Sequence, residues 1–211
     1  MRDLTGPVVG LAFLGGVGGA IALADDPFPR PWATGAEVRT YFRGNRGAAR
    51  LSAAGQAVSA LAIARFTRTV ARRSPRHRLL AVAGGTVAAV SIATSAVLAA
   101  TQTARDVDDD TALQLARTAF AAGGPMHGVG FGALTAALVL GGADVLPRGL
   151  VVTGLVSAAC GAASPLYFVW SPAGWLIPAG RFPGLVVAAV AGPLLSADPG
   201  GTPVVGPVVA R

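Results

Sequence analysis

The sequence predicts an all-α fold, a polytopic transmembrane bundle of about six helices. Two features of composition and one of pattern predict it. Charged residues make up 13% of the 211 and hydrophobic residues 53%, whereas a soluble domain carries roughly a quarter charged residues. The apolar residues fall in long blocks separated by short charged stretches, the pattern of membrane helices joined by loops. Glycine is abundant, 29 in all. That suits helices whose backbones approach closely, because inside lipid they associate by packing small residues.

A helix crossing ~30 Å of hydrocarbon needs about 20 apolar residues. The first such run covers 5–24 without a charge. Ala22-Leu23-Ala24 ahead of Asp25 also matches the small-residue signature of a cleaved signal peptide. The run is nonetheless long enough to span, and its only preceding cation, Arg2, sits beside Asp3. It is therefore read as a retained helix; cleavage would leave five. The second span, 48–66, is the shortest and most polar, with Arg50 and Arg65 inside its ends. Both arginines would snorkel toward headgroups, and an amphipathic helix lying on the surface is the alternative. Further runs at 79–103, 118–142, 149–170 and 174–196 complete the set, the last two separated at Ser171-Pro172. Pro178, Pro183 and Gly184 predict an irregular start to the last helix. Residues 1–197 form one transmembrane domain on this reading, and the Gly-, Pro- and Val-rich stretch 198–211 is a disordered tail.

The loop after the second span carries Arg65, Arg68, Arg72, Arg73, Arg76 and Arg78 with no acid. The positive-inside rule turns such a loop to the cytoplasm, which puts both termini inside in a cell (plasma) membrane. The same collar is a candidate site for anionic lipid headgroups. The net charge is +7 and every cation is arginine, but the charge sits between apolar spans rather than over a soluble face. Nucleic-acid binding is therefore not expected. Outside the membrane, the segment 25–47 opens stiffly on Asp-Asp-Pro-Phe-Pro-Arg-Pro. It then suits a short helix capped by Thr34, with Val38, Tyr41 and Phe42 on one face resting on the outer interface.

His127 is the ionisable residue deepest in a strong span, and intramembrane ionisable groups are functional candidates by default. A histidine there relays protons, binds a ligand, or simply hydrogen-bonds a neighbouring helix. No carboxylate occupies a span to partner it, and one histidine with one cysteine, Cys160, holds no metal. Arg181 either grips an anion in a wet recess or marks the outer interface. Gln56 shares a helix face with Ser52 and Ser59 at spacings of four and three. Such a face bonds between helices or lines a polar path. The acids Asp106, Asp108, Asp109 and Asp110 suit a helix start, with Asp109 or Asp110 as cap, better than a calcium loop, which needs glycine where Thr111 stands. Gly124, Gly128 and Gly132, Gly6 and Gly10, and Gly15 and Gly19 recur every four residues as packing faces.

Residues 120–170, with their small-residue helix, a Leu146-Pro147-Arg148 turn and a helix ending near Ser164-Pro165-Leu166, are followed by Arg181-Phe182 near the last helix. In this order the motifs resemble a family of uncharacterised bacterial integral membrane proteins of about this length. The likeness extends over 5–196. The resemblance implies six helices with the first retained, and it implies no activity.

The chain shows no Ser/His/Asp set, no Cys/His cluster and no phosphate-binding glycine loop, so neither a catalytic site nor a cofactor is expected. The expectation is a non-enzymatic accessory or regulatory membrane component. The alternative is a small transporter or permease subunit with a polar path near His127 and Arg181.

Overall fold

The structure, a computed structural model, describes residues 4–196. The tail expected at 198–211 lies outside the described residues, as do Arg2 and Asp3. The regular structure of the described residues is all helix: α1 (Thr5–Leu23), α2 (Gly35–Gly44), α3 (Arg46–Arg73), α4 (Arg78–Ala104), α5 (Asp109–Ala121), α6 (His127–Gly141), α7 (Arg148–Ala163) and α8 (Leu176–Ser196). A π-helical turn, Ala122–Met126, joins α5 to α6 without a break, so Asp109–Gly141 is one rod. Short 3-10 turns, Ser164–Phe168 and Ser171–Trp175, carry the chain from α7 to α8.

Five helical segments are long and apolar enough to cross a membrane: those built on α1, α4, α5–α6, α7 and α8. The protein is a membrane-embedded helical bundle. The second expected span, α3, is not among the five; its 28 residues include six arginines, which lower its hydropathy. It is not a surface helix, however. Its contacts with α1 run Gly6 to Phe66, Val9 to Ser59, Gly16 to Gly55 and Gly19 to Leu51. The pair is therefore antiparallel and matched over nearly all of α1, and α3 crosses whatever depth α1 crosses.

The same reasoning orders the remaining helices. α3 returns against α4, α4 against α6, α6 against α7, and α7 against α8, while α8 closes on α1 through Ala188 at Gly6 and Leu185 at Gly10. Six rods thus form a closed up-and-down ring. Each seam of the ring holds a glycine at which a Cβ would collide or nearly so. A Cβ on Gly16 would lie 2.8 Å from Gly55 Cα, one on Gly84 2.7 Å from Leu134 N, one on Gly132 3.0 Å from Ala158 O and one on Gly180 2.8 Å from Gly161 N. Small residues let the backbones touch, which is how helices gain contact in lipid. Of the expected glycine faces, Gly6, Gly128 and Gly132 sit in seams, whereas Gly15 faces open space and its neighbour Gly16 makes the contact. Inside the ring, Val9, Ile63, Phe66, Phe131, Leu134, Leu138 and Val187 form the main core. Leu11, Leu61, Leu79 and Val152 point outward, all exposed, as lipid-facing residues do.

A smaller core covers one end. Val38, Tyr41 and Phe42 of α2 pack on Ala49 and Ala112. α2 begins as expected, Thr34 Oγ1 accepting from Glu37 N–H while Glu37 accepts from Thr34 N–H, a reciprocal cap. The expectation that Tyr41 rests on the lipid interface is corrected: its ring is buried against protein, 5.3 Å from Phe28. Arg39 pairs with Asp109 at 2.8 Å and Arg43 with Asp106. These pairs tie the segment after α1, with α2, to the start of the long rod. The cap of α5 is Asp108, which accepts from Thr111 N–H at 2.7 Å, one residue before the expected caps. The first turns of α8 are also more regular than expected. Pro178 lies in the first turn, where no helical bond is lost, and the α-helix continues from Leu176 through Pro183, which leaves the Ala179 carbonyl without its helical donor.

Candidate functional site

The candidate residues meet the structure at the π-turn in the middle of the bundle. Pro125 has no N–H, and its ring crowds the carbonyl four residues back, so a regular α-helix cannot pass through it undisturbed. The chain inserts a π-turn instead. The His127 N–H reaches back to Ala122 O, with Gly124 O as a second acceptor. In a regular helix its acceptor would be Gly123 O. The turn thus releases the Gly123 carbonyl from the helical ladder.

Arg181 takes that carbonyl. Its Nη2 donates to Gly123 O, and the guanidinium lies over the Phe13 ring, 4.9 Å from its centroid, a cation–π contact. Phe13 is near the middle of α1 and Gly123 near the middle of the long rod. Arg181 therefore sits within the bundle rather than at the outer interface. Its Nε is buried with no partner, and the ion pairs formed among the described residues are confined to the end capped by α2.

His127 lies two residues beyond Pro125 and is 2% exposed. Its Nδ1–H donates to Ala88 O of α4 at 3.1 Å; a carbonyl only accepts, so this nitrogen carries the proton. The ring stacks on Phe131 at 5.5 Å. Two serines that sequence reasoning did not single out complete the neighbourhood. Ser164 Oγ donates toward Pro125 O at 3.0 Å and Gly161 O at 2.7 Å, and Ser157 Oγ donates to Gly180 O. The signal that could have found this place is Pro125 inside an apolar run, since proline in a helix frees carbonyls for other donors.

Gln56 belongs elsewhere. It lies on α3 facing α1, where its Nε2 donates to Ser52 Oγ at 3.3 Å and its Oε1 is buried without a partner. Ser59, one turn further, donates to Val9 O at 3.1 Å. Arg181 bonds Gly123, one turn before His127, so both lie at the π-turn, whereas Gln56 lies in a separate seam. The collar residues Arg65, Arg68, Arg72, Arg73, Arg76 and Arg78 are all exposed at one end of the ring, and Arg148 joins them there. Asp144 is the acid at that end among the described residues; Asp25, Asp26, Glu37, Asp106, Asp108, Asp109 and Asp110 are all at the other.

Fold and centre together define a membrane-embedded, closed helical bundle whose inner polar side chains bond chiefly to backbone carbonyls of neighbouring helices. Comparison of the chain with known protein families, with curated proteins and with solved structures finds no match.

Proposed function

We propose that this protein is a non-catalytic, multi-pass component of the cell membrane that acts as an accessory or regulatory partner through its surfaces. The observation that carries the reading is the destination of the polar groups inside the ring. His127, Arg181, Ser59, Ser157 and Ser164 each reach a carbonyl across a helix seam. Donors spent on backbone acceptors hold helices together. They are not aligned along one path for a solute. A cavity of about 430 Å³ near the outer cap is lined by neither His127 nor Arg181, which weighs against the transport alternative.

Charge supports an orientation on the same reading. The collar end is strongly positive, whereas acids offset the arginines at the capped end. The collar faces the cytoplasm, the described ends of α1 and α8 lie on that side, and the arginines meet anionic headgroups at roughly 1 kcal/mol each. The test is native mass spectrometry of the full chain extracted from its own membrane in mild detergent, paired with flux measurements in proteoliposomes. The reading expects a second polypeptide retained in fixed ratio and no flux above empty vesicles. A bare protein that conducts ions or solutes overturns it.

A further inference from the structure

Between Arg148 and Arg181 the chain carries no charge. Within that stretch the two 3-10 turns joining α7 to α8 present Leu166, Phe168, Val169, Trp170 and Trp175 outward, all exposed, Val169 at 85% and Trp175 at 80%. The turns are held from behind. Ser164 and Ala173 are buried, and the Tyr167 ring packs on Phe120 of the long rod at 5.1 Å. Contiguous apolar patches are rare on surfaces that meet water.

This ledge stands level with the onset of charge on three other helices. α8 runs antiparallel to α1 with Leu185 at Gly10. Trp175, ten residues before Leu185, is therefore level with Ala20, just short of Asp25 and Asp26. On α3, Leu51 meets Gly19, which puts Arg50 at that level and Arg46 beyond it. On the rod, Phe120 touches Tyr167 and Gly124 faces Ile177. Arg117, the last formal charge of the rod, lies one turn beyond Phe120.

The spacing to the opposite end fits a bilayer. At the arginine collar, Leu195 packs at Gly142 and Ser74 at Gly141. From there to the ledge α8, 21 residues, measures about 32 Å. α7 with the first 3-10 turn measures about 34 Å. The hydrocarbon core is ~30 Å thick. The rod, 33 residues, is about 50 Å long, so its α5 part overshoots both helices.

We propose that Trp170 and Trp175, with Phe168, anchor the protein in the interfacial layer of the bilayer at the α2-capped end, so that α7 and α8 span the hydrocarbon while α5 and α2 stand clear of it. The partner of the ledge is the lipid surface. Tryptophan suits that layer because its ring is apolar and its N–H is polar. The ledge also continues the lipid-facing surface of α7 and α8, where Val152, Val156, Val186 and Val190 are exposed. It fills the interface role that Tyr41, buried against protein, does not. The anchor requires the membrane-embedded bundle but no second polypeptide, so its test and the test of the proposed accessory role fail separately.

The chain has three tryptophans, which makes depth directly readable by fluorescence. Forms keeping Trp170 or Trp175 alone, with phenylalanine at the other two positions, are placed as the full chain in phosphatidylcholine nanodiscs. Quenching is compared for lipid brominated near the glycerol end of its acyl chain, lipid brominated near the methyl end, and aqueous iodide. Two references are built on a background with all three tryptophans replaced. Val186→Trp marks the hydrocarbon, about 16 Å deeper than Trp175 along α8, and Asp110→Trp marks the water beside α5; both native positions are exposed. Trp170 and Trp175 should be quenched at least twofold more by the shallow bromine than by the deep one. Val186→Trp should show the reverse preference, and Asp110→Trp should respond to iodide alone. If Trp170 and Trp175 behave like Asp110→Trp, the ledge is in water; if they behave like Val186→Trp, it is sunk in hydrocarbon; if all three quenchers fail on them, protein covers it. Each of those outcomes overturns the anchor.

Discussion

Alanine at Gly55 is the sharpest perturbation of the bundle. Gly55 and Gly16 meet where α3 crosses α1, and a Cβ on Gly55 would lie 2.6 Å from Gly16 Cα and 2.6 Å from Ala12 O. Both neighbours are backbone, so no side chain can swing aside. Ordinary contact begins at 3.4 Å, so the helices must part by at least 0.8 Å, the difference between those two distances. Overpacking of this kind costs about 1–3 kcal/mol. Alanine also gains up to about 1 kcal/mol of helix propensity over glycine, which masks part of the cost. Gly15→Ala isolates that gain, because a Cβ there meets nothing within 4 Å and the residue is equally mid-helix. The difference between the two variants is then the steric cost alone. For a chain of this size each kcal/mol moves Tm by roughly 2–4 °C. Thermal unfolding in mild detergent should place Gly55→Ala below Gly15→Ala by several degrees, with Gly15→Ala at or above the parent. Equal Tm values for the two variants would refute the close α1–α3 crossing, and with it the argument that α3 spans the bundle.

Three further outcomes follow from the same contacts. Arg181→Met strips the Gly123 carbonyl of its donor and should cost about 1–3 kcal/mol, the penalty of an unmade buried hydrogen bond. Pro125→Ala lets a regular helix re-form and returns that carbonyl to His127 N–H, so in the Pro125→Ala background the Arg181→Met loss should shrink; additive losses in a double-mutant cycle would contradict the π-turn account. The α2 cap should loosen in acid. The backbone N–H of Thr34 holds Glu37 below its ordinary carboxylate range, the hydrogen bond from Arg43 does the same for Asp106, and the Thr111 backbone N–H for Asp108. A depressed carboxylate stabilises the fold fully above its unfolded value, roughly 4, and the contribution fades as pH falls through the lower folded value. Hydrogen exchange should therefore show the α2 amides losing protection below about pH 4 while the α4 and α6 amides keep theirs; parallel loss everywhere would point to global unfolding instead. Gln102 is buried with neither amide atom partnered, so Gln102→Leu should be neutral or stabilising in the same thermal assay, and a loss above about 1 kcal/mol would show that the amide is satisfied.

The bundle was legible because hydropathy is a local property. The boundaries of the apolar runs match α1, α4 and α8 within a few residues, the run 149–170 takes in α7 and the 3-10 turn after it, and Thr34 ahead of Val38, Tyr41 and Phe42 announced α2. What was not legible depends on rotation and depth. A glycine every four residues marks a helix face, but which face meets a neighbour is set by the partner, so Gly15 looked equivalent to Gly16. Arg181 was open to two readings, a wet recess or the interface, because arginine in lipid is costly. Its position became intelligible only when Pro125, 56 residues earlier in the chain, was seen to release a carbonyl opposite it. Tyr41 looked like an interface anchor because tyrosine often is one. The burial it finds comes from Phe28, Ala49 and Ala112, a meeting that α2, α3 and α5 create together. Asp108 rather than Asp109 caps α5, a one-residue shift that a run of acids cannot resolve.

The central claim is that the interior at His127 is closed and that its polar groups serve packing. The direct test is thiol labelling in the membrane, in a Cys160→Ser background, of single cysteines introduced as Arg76→Cys, Asp110→Cys and His127→Cys. A small aqueous reagent applied to permeabilised membranes should modify the first two rapidly, since both native positions are exposed, and leave position 127 unmodified until the protein is denatured. Modification at 127 at a rate comparable with the two ends would show water reaching the centre of the bundle, contradict the closed ring, and move the protein toward the transport alternative.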